Sequence, residues 1–173
     1  FRDDDANFNT AWNAIYNTIN RSNHVITKIP NVTDPQLTQA LKDKYTGEAK
    51  FIRALAYFDL ARAWGGVQII LEPTTSLVDR PEVQRSTLEQ TYDQVLKDLE
   101  DAEPLLPDEL NRIRATRRSV WALRARLHLY RKQWDLAEQY ATKLIDNHTD
   151  YTLVKPFSAW FKNNVVATPE SIF

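Results

Sequence analysis

The stretch Gly47–Pro73, G-E-A-K-F-I-R-A-L-A-Y-F-D-L-A-R-A-W-G-G-V-Q-I-I-L-E-P, decides how this chain folds. From Ala49 to Ala63 it holds no glycine or proline, and Ala, Leu, Phe, Ile and Arg dominate, so helix propensity is high. Ala49, Ile52, Ala56 and Ala63 lie near one side, and Phe51, Leu55 and Phe58 near another. A helix apolar over so much of its circumference is packed by neighbours on two sides. Gly65 is a natural stop, because it takes a positive φ without a Cβ clash. Val67, Ile69, Ile70 and Leu71 then favour an extended run closed by Pro73. Arg53, a charge on a doubly packed helix, is expected to pair with Glu48 or with an acid on another helix, and to matter for stability rather than for a ligand.

Working towards the N-terminus, the spacing of Trp12, Ile15, Tyr16, Ile19 and Ile26 predicts a helix from about Phe8 to Lys28, ended by Pro30. Asp34, with Pro35 after it, is expected to cap the next helix, which breaks or bends near Gly47 before becoming the spine. Residues 72 to 85 read as a loop. A third helix begins at Ser86 or Thr87, with Glu89 able to complete a capping box to Ser86, and with the regular stripe Leu88, Tyr92, Val95, Leu96, Leu99 and Ala102. Pro104 and Pro107 close it.

Thr116 caps a fourth helix running to about Tyr130, and a short turn at Lys132–Gln133 leads to a fifth, from about Trp134 to His148. So short a turn makes an antiparallel helical hairpin. Trp121, Ala125, Trp134 and Ala137 fall at four spacings of the 34-residue tetratricopeptide repeat, although Ala141 and Leu144 fit its later positions poorly. Tyr151 to Phe173 looks irregular. The expected architecture is therefore all-α. Tetratricopeptide-like hairpins, the first two helices forming a diverged pair, stack into a right-handed superhelix with a short extended segment after the second helix. Residues 1–173 are read as one helical domain. The start at Phe1, the absence of methionine and the apolar end at Phe173 suggest an internal piece of a longer protein.

The net charge of −1 carries no basic footprint for nucleic acid, and no apolar run reaches the roughly 20 residues that span a bilayer. Without cysteine there is no disulfide, thiolate metal site or cysteine nucleophile. His24, His128 and His148 have no partner at i+3 or i+4 to complete a metal site and are read as structural or surface residues. Asp3-Asp4-Asp5 lacks the alternating ligands of a calcium loop and is read as a solvated lead-in. No nucleophile elbow, phosphate loop or dinucleotide fingerprint occurs. Asp98 and Asp101 are expected on the exposed side of the third helix, where two carboxylates cannot face each other across a cleft. Arg112, Arg114, Arg117 and Arg118 form a patch expected to pair with Asp101, Glu103, Asp108 and Glu109. The residues point to no enzyme, and no cofactor or metal is expected. Of the five tryptophans, Trp12, Trp121 and Trp134 are assigned to the core. Trp64, beside the glycine stop, and Trp160, in the irregular tail, are the candidate ligand-binding residues, since a free indole stacks on a sugar ring.

The spine resembles the SusD/RagB-like lipoproteins of the Bacteroidetes outer membrane. It carries their Gly47-Glu48-Ala49 lead, then Phe51, Arg53-Ala54, Tyr57-Phe58 and Leu60, and the stop at Trp64-Gly65. Tyr16, Ile19 and Asn23 fit the first helix of that family, and Tyr92 through Leu106-Pro107 fits its Leu-Pro-ended helix. Ala122, Ala125, Arg126, Leu129, Tyr130, Trp134 and Ala137 fit its hairpin, and Glu170-Ser171-Ile172-Phe173 resembles the start of its next element. Gln68 departs from a usual proline and Arg118 from a common glycine. The resemblance implies a tetratricopeptide-containing, non-enzymatic lipoprotein at the extracellular face of the outer membrane, anchored through an upstream cysteine. Such a protein binds a glycan, or in some branches a peptide, and caps a SusC-like TonB-dependent transporter. The part present here would mainly scaffold the rest and contact the transporter. The competing expectation is a tetratricopeptide scaffold for a peptide or protein partner.

Overall fold

Gln39–Trp64 is a single helix of 26 residues, and the elements of the first half of the chain are arranged around it. A computed structural model describes residues 6–76, 82–146, 149–161 and 168–173. They divide into two compact units, Phe1–Leu105 and Leu106–Phe173. Regular structure among the described residues is entirely helical: α1 (Ala6–Lys28), α2 (Gln39–Trp64), α3 (Leu88–Ala102), α4 (Arg117–Tyr130) and α5 (Trp134–Ile145), with short 3-10 turns between and after them.

In the first unit α2 packs against both α1 and α3, as its wide apolar surface requires. Phe51, Ala54, Tyr57, Phe58 and Leu60 are buried on it, together with Ile19 of α1 and Tyr92, Val95, Leu99 and Ala102 of α3. The expected break near Gly47 is absent. A lone glycine costs a helix only about 1 kcal/mol relative to alanine, and here Gly47, Glu48 and Ala49 are all buried, so packing outweighs it.

Asp34 does not cap α2. Its carboxylate accepts from Gln36 N at 2.8 Å and its carbonyl from Leu37 N at 3.0 Å, closing a turn on itself. Thr38 takes the cap instead, accepting from Leu41 N. A short side chain that can satisfy a nearby turn competes with capping, and Pro35 favours the turn. The box on α3 is likewise shifted one residue from the expected Ser86–Glu89 pair: Thr87 Oγ1 accepts from Gln90 N at 3.1 Å and Gln90 Oε1 from Thr87 N at 2.8 Å.

Gly65 ends α2 at φ +77°, as expected of a glycine stop. Gly66 has a different reason. A Cβ there would lie 2.0 Å from the carbonyl oxygen of Ser86, where the chain returns to start α3 and Ser86 N donates to Val67 O at 3.0 Å. The extended run that follows joins no sheet among the described residues. Side chains replace the missing strand partner. Tyr57 Oη accepts from Ile70 N at 2.7 Å and donates to Ile70 O at 2.9 Å. Asn23 Nδ2 donates to Ile70 O and Glu72 O, Tyr16 Oη to Gln68 O, and Arg53 Nη1 to Leu71 O. Backbone groups beside a core must be paired, and four side chains from two helices do it here.

In the second unit α4 and α5 form the expected hairpin, turning through Lys132 at φ +58°. Thr116 caps α4, with Ser119 returning the bond to Thr116 N. Val120, Leu123 and Leu127 of α4 and Leu144 of α5 are buried, and His128 stacks on Tyr140. Trp134, assigned to the core by its repeat position, is 59% exposed. It is the first residue of α5, and side chains lean towards a helix N-terminus, so its indole projects beyond the hairpin contact. Arg118 pairs with Asp108 and Asp150, and Arg112 donates to Ser171 O and Asp150 O. The basic patch is thus partly an internal clasp, with Asp150 an unforeseen partner. Asp108, then Asp150, raise the Arg118 pKa further above its ordinary value. The irregular tail includes a 3-10 turn at Phe157–Phe161.

Candidate functional site

Neither candidate tryptophan is fully buried. Trp64 is half-buried at the last position of α2, and the residues around it come from one stripe of α1. Phe8, Trp12 and Tyr16 recur at four-residue steps, so their rings lie along one face. The Trp64 ring meets Trp12 edge-on at 5.3 Å between centroids and Phe8 at 6.3 Å, and Trp12 is 4.8 Å from Tyr16. Trp12 was expected in the core. It is half-buried and belongs to this cluster instead. Its neighbours Asn13 and Asn17 are exposed, which keeps this side of α1 out of the core proper. The Trp64 carbonyl, one of the open acceptors at the end of α2, receives Arg85 Nη2 at 2.8 Å, so the backbone beneath the indole is held.

Beside this cluster a cavity of about 460 Å³ opens between α1 and the extended stretch after α2, with Asn13, Tyr16, Asn17, Asn20, Gln68 and Thr75 among its lining residues. Burial pushes the Tyr16 hydroxyl up to about 12. The phenol therefore stays protonated at neutral pH.

Trp160 lies in the second unit, half-buried in the 3-10 turn. Its indole nitrogen donates to Glu170 Oε2 at 2.9 Å, and the same oxygen accepts from Val154 N at 3.0 Å. The bond from Val154, then that from Trp160, hold the Glu170 carboxyl below its ordinary value. The sequence marked Trp160 for its exposure but had no signal for this partner ten residues on.

His24 is half-buried, His128 is buried with Nδ1 2.7 Å from Gln133 Oε1, and His148 lies outside the described residues, as do Asp3, Asp4 and Asp5. Among the described residues no cluster of three His, Asp or Glu side chains could hold a metal ion. Asp98, expected to be exposed beside Asp101, is only 1% exposed. It falls between Val95 and Ala102 on the buried face of α3, where Arg53 receives it; Asp101 accepts from Lys50 Nζ at 2.7 Å. No helix among the described residues is long and apolar enough to cross a membrane.

Comparison with known proteins agrees with the helical fold. Residues 1–129 match the SusD-like family described as "Starch-binding associating with outer membrane". A SusD-like protein of Bacteroides ovatus is 30% identical over 154 residues, covering 83% of this chain and 28% of the relative. A laminarin-binding SusD-like protein of known structure superposes with a TM-score of 0.83 at 26% identity, over 95% of this chain and 36% of that one. A protein solved with a xylogluco-oligosaccharide gives a TM-score of 0.79 at 28% identity, over 91% and 33%. These neighbours are helical and tetratricopeptide-like, as this chain is. The chain spans less than a third of the length of the Bacteroides ovatus relative. It belongs to the SusD-like family.

Proposed function

We propose that this chain is part of a glycan-binding component of an outer-membrane nutrient-uptake complex, capping a SusC-like TonB-dependent transporter as a lid. The observation that carries the reading is the cluster of Trp12, Tyr16 and Trp64, half-buried rings brought together by α1 and the end of α2. A pyranose presents an apolar C–H face and a polar rim, and an amphipathic aromatic with hydrogen-bonding neighbours suits both. Family membership supports glycan as the ligand class, as do relatives named for laminarin or solved with a xylogluco-oligosaccharide. Within this reading residues 1–173 are one helical domain of a longer lipoprotein, acting mainly as scaffold and transporter contact. The protein carries out no chemical step and is tethered at the extracellular face through a lipidated upstream cysteine. Trp64 contributes to ligand stacking, and Trp160 offers a second ring face.

Affinity electrophoresis in gels containing laminarin or xyloglucan tests the ligand class. Retardation of the chain, reduced several-fold by Trp64→Ala, is the expected result. Binding to peptides with no retardation by any glycan would overturn it. The transporter role is checked by solubilising membranes that express the longer protein and looking for a co-purifying outer-membrane barrel.

A further inference from the structure

The cavity beside the aromatic cluster is built from uncharged hydrogen-bonding groups. Asn13, Tyr16, Asn17 and Asn20 stand at i, i+3, i+4 and i+7 of α1 and so share one face, and Gln68 and Thr75 come from the opposite wall. No charged side chain is found among the described residues that line it. Its volume, about 460 Å³, falls within the range of about 300–1,000 Å³ usual for small-molecule sites.

The polar groups divide into two sets. Asn20 Oδ1 accepts from Thr74 N at 2.8 Å, Gln68 Nε2 donates to Val83 O at 2.6 Å, and Tyr16 Oη donates to Gln68 O at 2.8 Å. The bonds of Asn20 and Tyr16 tie the two walls together, and that of Gln68 to Val83 braces the wall opposite α1. The amides of Asn13 and Asn17 are exposed and make no hydrogen bond to other described residues. Each supplies two N–H donors and a carbonyl acceptor at the cavity wall.

Ligand chemistry follows from that inventory. Among the described lining residues an anionic ligand would meet no lysine or arginine, and a cation no carboxylate. An apolar ligand would strip water from the amides and leave them unsatisfied, at about 1–3 kcal/mol each. A ligand whose every polar group both donates and accepts, as a hydroxyl does, matches a set of side-chain amides. The Tyr16 ring, tilted against Trp12 at 4.8 Å, connects the cavity to the aromatic cluster, so a chain of sugar rings can continue from one to the other.

We propose that this cavity is a subsite for a neutral sugar residue of the bound glycan, in which Asn13 and Asn17 hydrogen-bond ring hydroxyls, and that it discriminates against uronic and sulfated sugars. The inference rests on the glycan-binding reading above and adds to it a location and a charge preference.

Isothermal titration of the intact chain with laminari-oligosaccharides, xylogluco-oligosaccharides and oligogalacturonate tests it, alongside the Asn13→Ala/Asn17→Ala double variant. The expected result is binding of at least one neutral oligosaccharide, at least tenfold weaker binding of oligogalacturonate, and a fall of tenfold or more in the neutral affinity of the double variant. Both asparagines are exposed, so the thermal melt of the variant should match that of the wild type. Neutral binding that the folded double variant leaves intact would overturn the assignment of the cavity while leaving the glycan-binding reading standing. Equal affinity for oligogalacturonate would overturn the charge preference. No binding of any glycan by this chain or by the longer protein would overturn the wider reading, and this one with it.

Discussion

Arg53 of α2 and Asp98 of α3 form a two-pronged buried pair, with Nε 2.8 Å from Oδ2 and Nη2 2.7 Å from Oδ1. Asn23 of α1 completes the arrangement, its Oδ1 accepting from Arg53 Nη1 at 2.8 Å. One guanidinium therefore joins all three helices of the first unit and also reaches the Leu71 carbonyl. Fork-shaped pairing to a carboxylate is what arginine does better than lysine, whose ammonium is a single point charge.

Arg53→Ala leaves Asp98 buried without a counter-charge, and loss of one partner of a buried pair costs about 3–5 kcal/mol. Urea denaturation should show a destabilisation of that size, and Arg53→Lys should recover only part of it. Arg53 is not among the described residues that line the cavity, although its partner Asn23 is, so its loss should be read first in stability. A variant with wild-type stability and lost binding would contradict this assignment.

Tyr57→Phe removes the hydroxyl that serves both the N–H and the C=O of Ile70. Asn23 still reaches that carbonyl, so the uncompensated loss is the N–H, worth about 1–3 kcal/mol. Hydrogen exchange should show faster exchange of the Ile70 amide, while the α4–α5 hairpin in the other unit keeps its protection.

Gly66→Ala puts a methyl 2.0 Å from a backbone carbonyl that cannot swing aside as a side chain would. Overpacking of this kind costs about 1–3 kcal/mol, more where backbone must move. The same substitution at Gly65 meets only the end of the Arg85 side chain at 3.8 Å, and its penalty comes from the positive φ instead. At ψ −136° Gly65 lies outside the left-handed helical region that asparagine tolerates, so Gly65→Asn should be no better borne than Gly65→Ala, and no residue larger than glycine should suit position 66. Thermal melts of the three variants check both statements.

The Trp160–Glu170 bond predicts a local pH dependence. Because the folded carboxyl titrates below its ordinary value of 4.5, its contribution is fully present above that value and fades as pH falls through the depressed folded one. The indole N–H resonance of Trp160 should hold steady from neutral pH down to about 4.5 and move only below it. Glu170→Gln should abolish that movement. A Trp160 signal indifferent to acid in the wild type would show that the bond is not formed in solution.

Much of this protein was legible in the order of its residues, and the legible part is local. Helical periodicity, the glycine stop at Gly65, the cap at Thr116 and the tight α4–α5 turn depend on neighbours within about four residues, so the spacing carries them. Where local options were nearly equal, as between Asp34 and Thr38 or between Ser86 and Thr87, local reasoning chose the wrong cap. The family resemblance was also contained in the sequence, as motifs in collinear order.

The aromatic stripe Phe8, Trp12, Tyr16 and the asparagines beside it could have been found by the same spacing, but a period of four identifies a shared face without saying what covers it. Only the packed helices decided that Trp12 meets Trp64 rather than a core, and that Asp98 turns inward to Arg53 across 45 residues of sequence. Packing also settled that an extended apolar run is satisfied by side chains rather than by a strand, with Asn23 bonding Ile70 across 47 residues. The physical reason is the same in each case. Burial and pairing are set by which surfaces the chain brings together over long range, and a charge or an indole on a helix takes its role from the element that arrives opposite it.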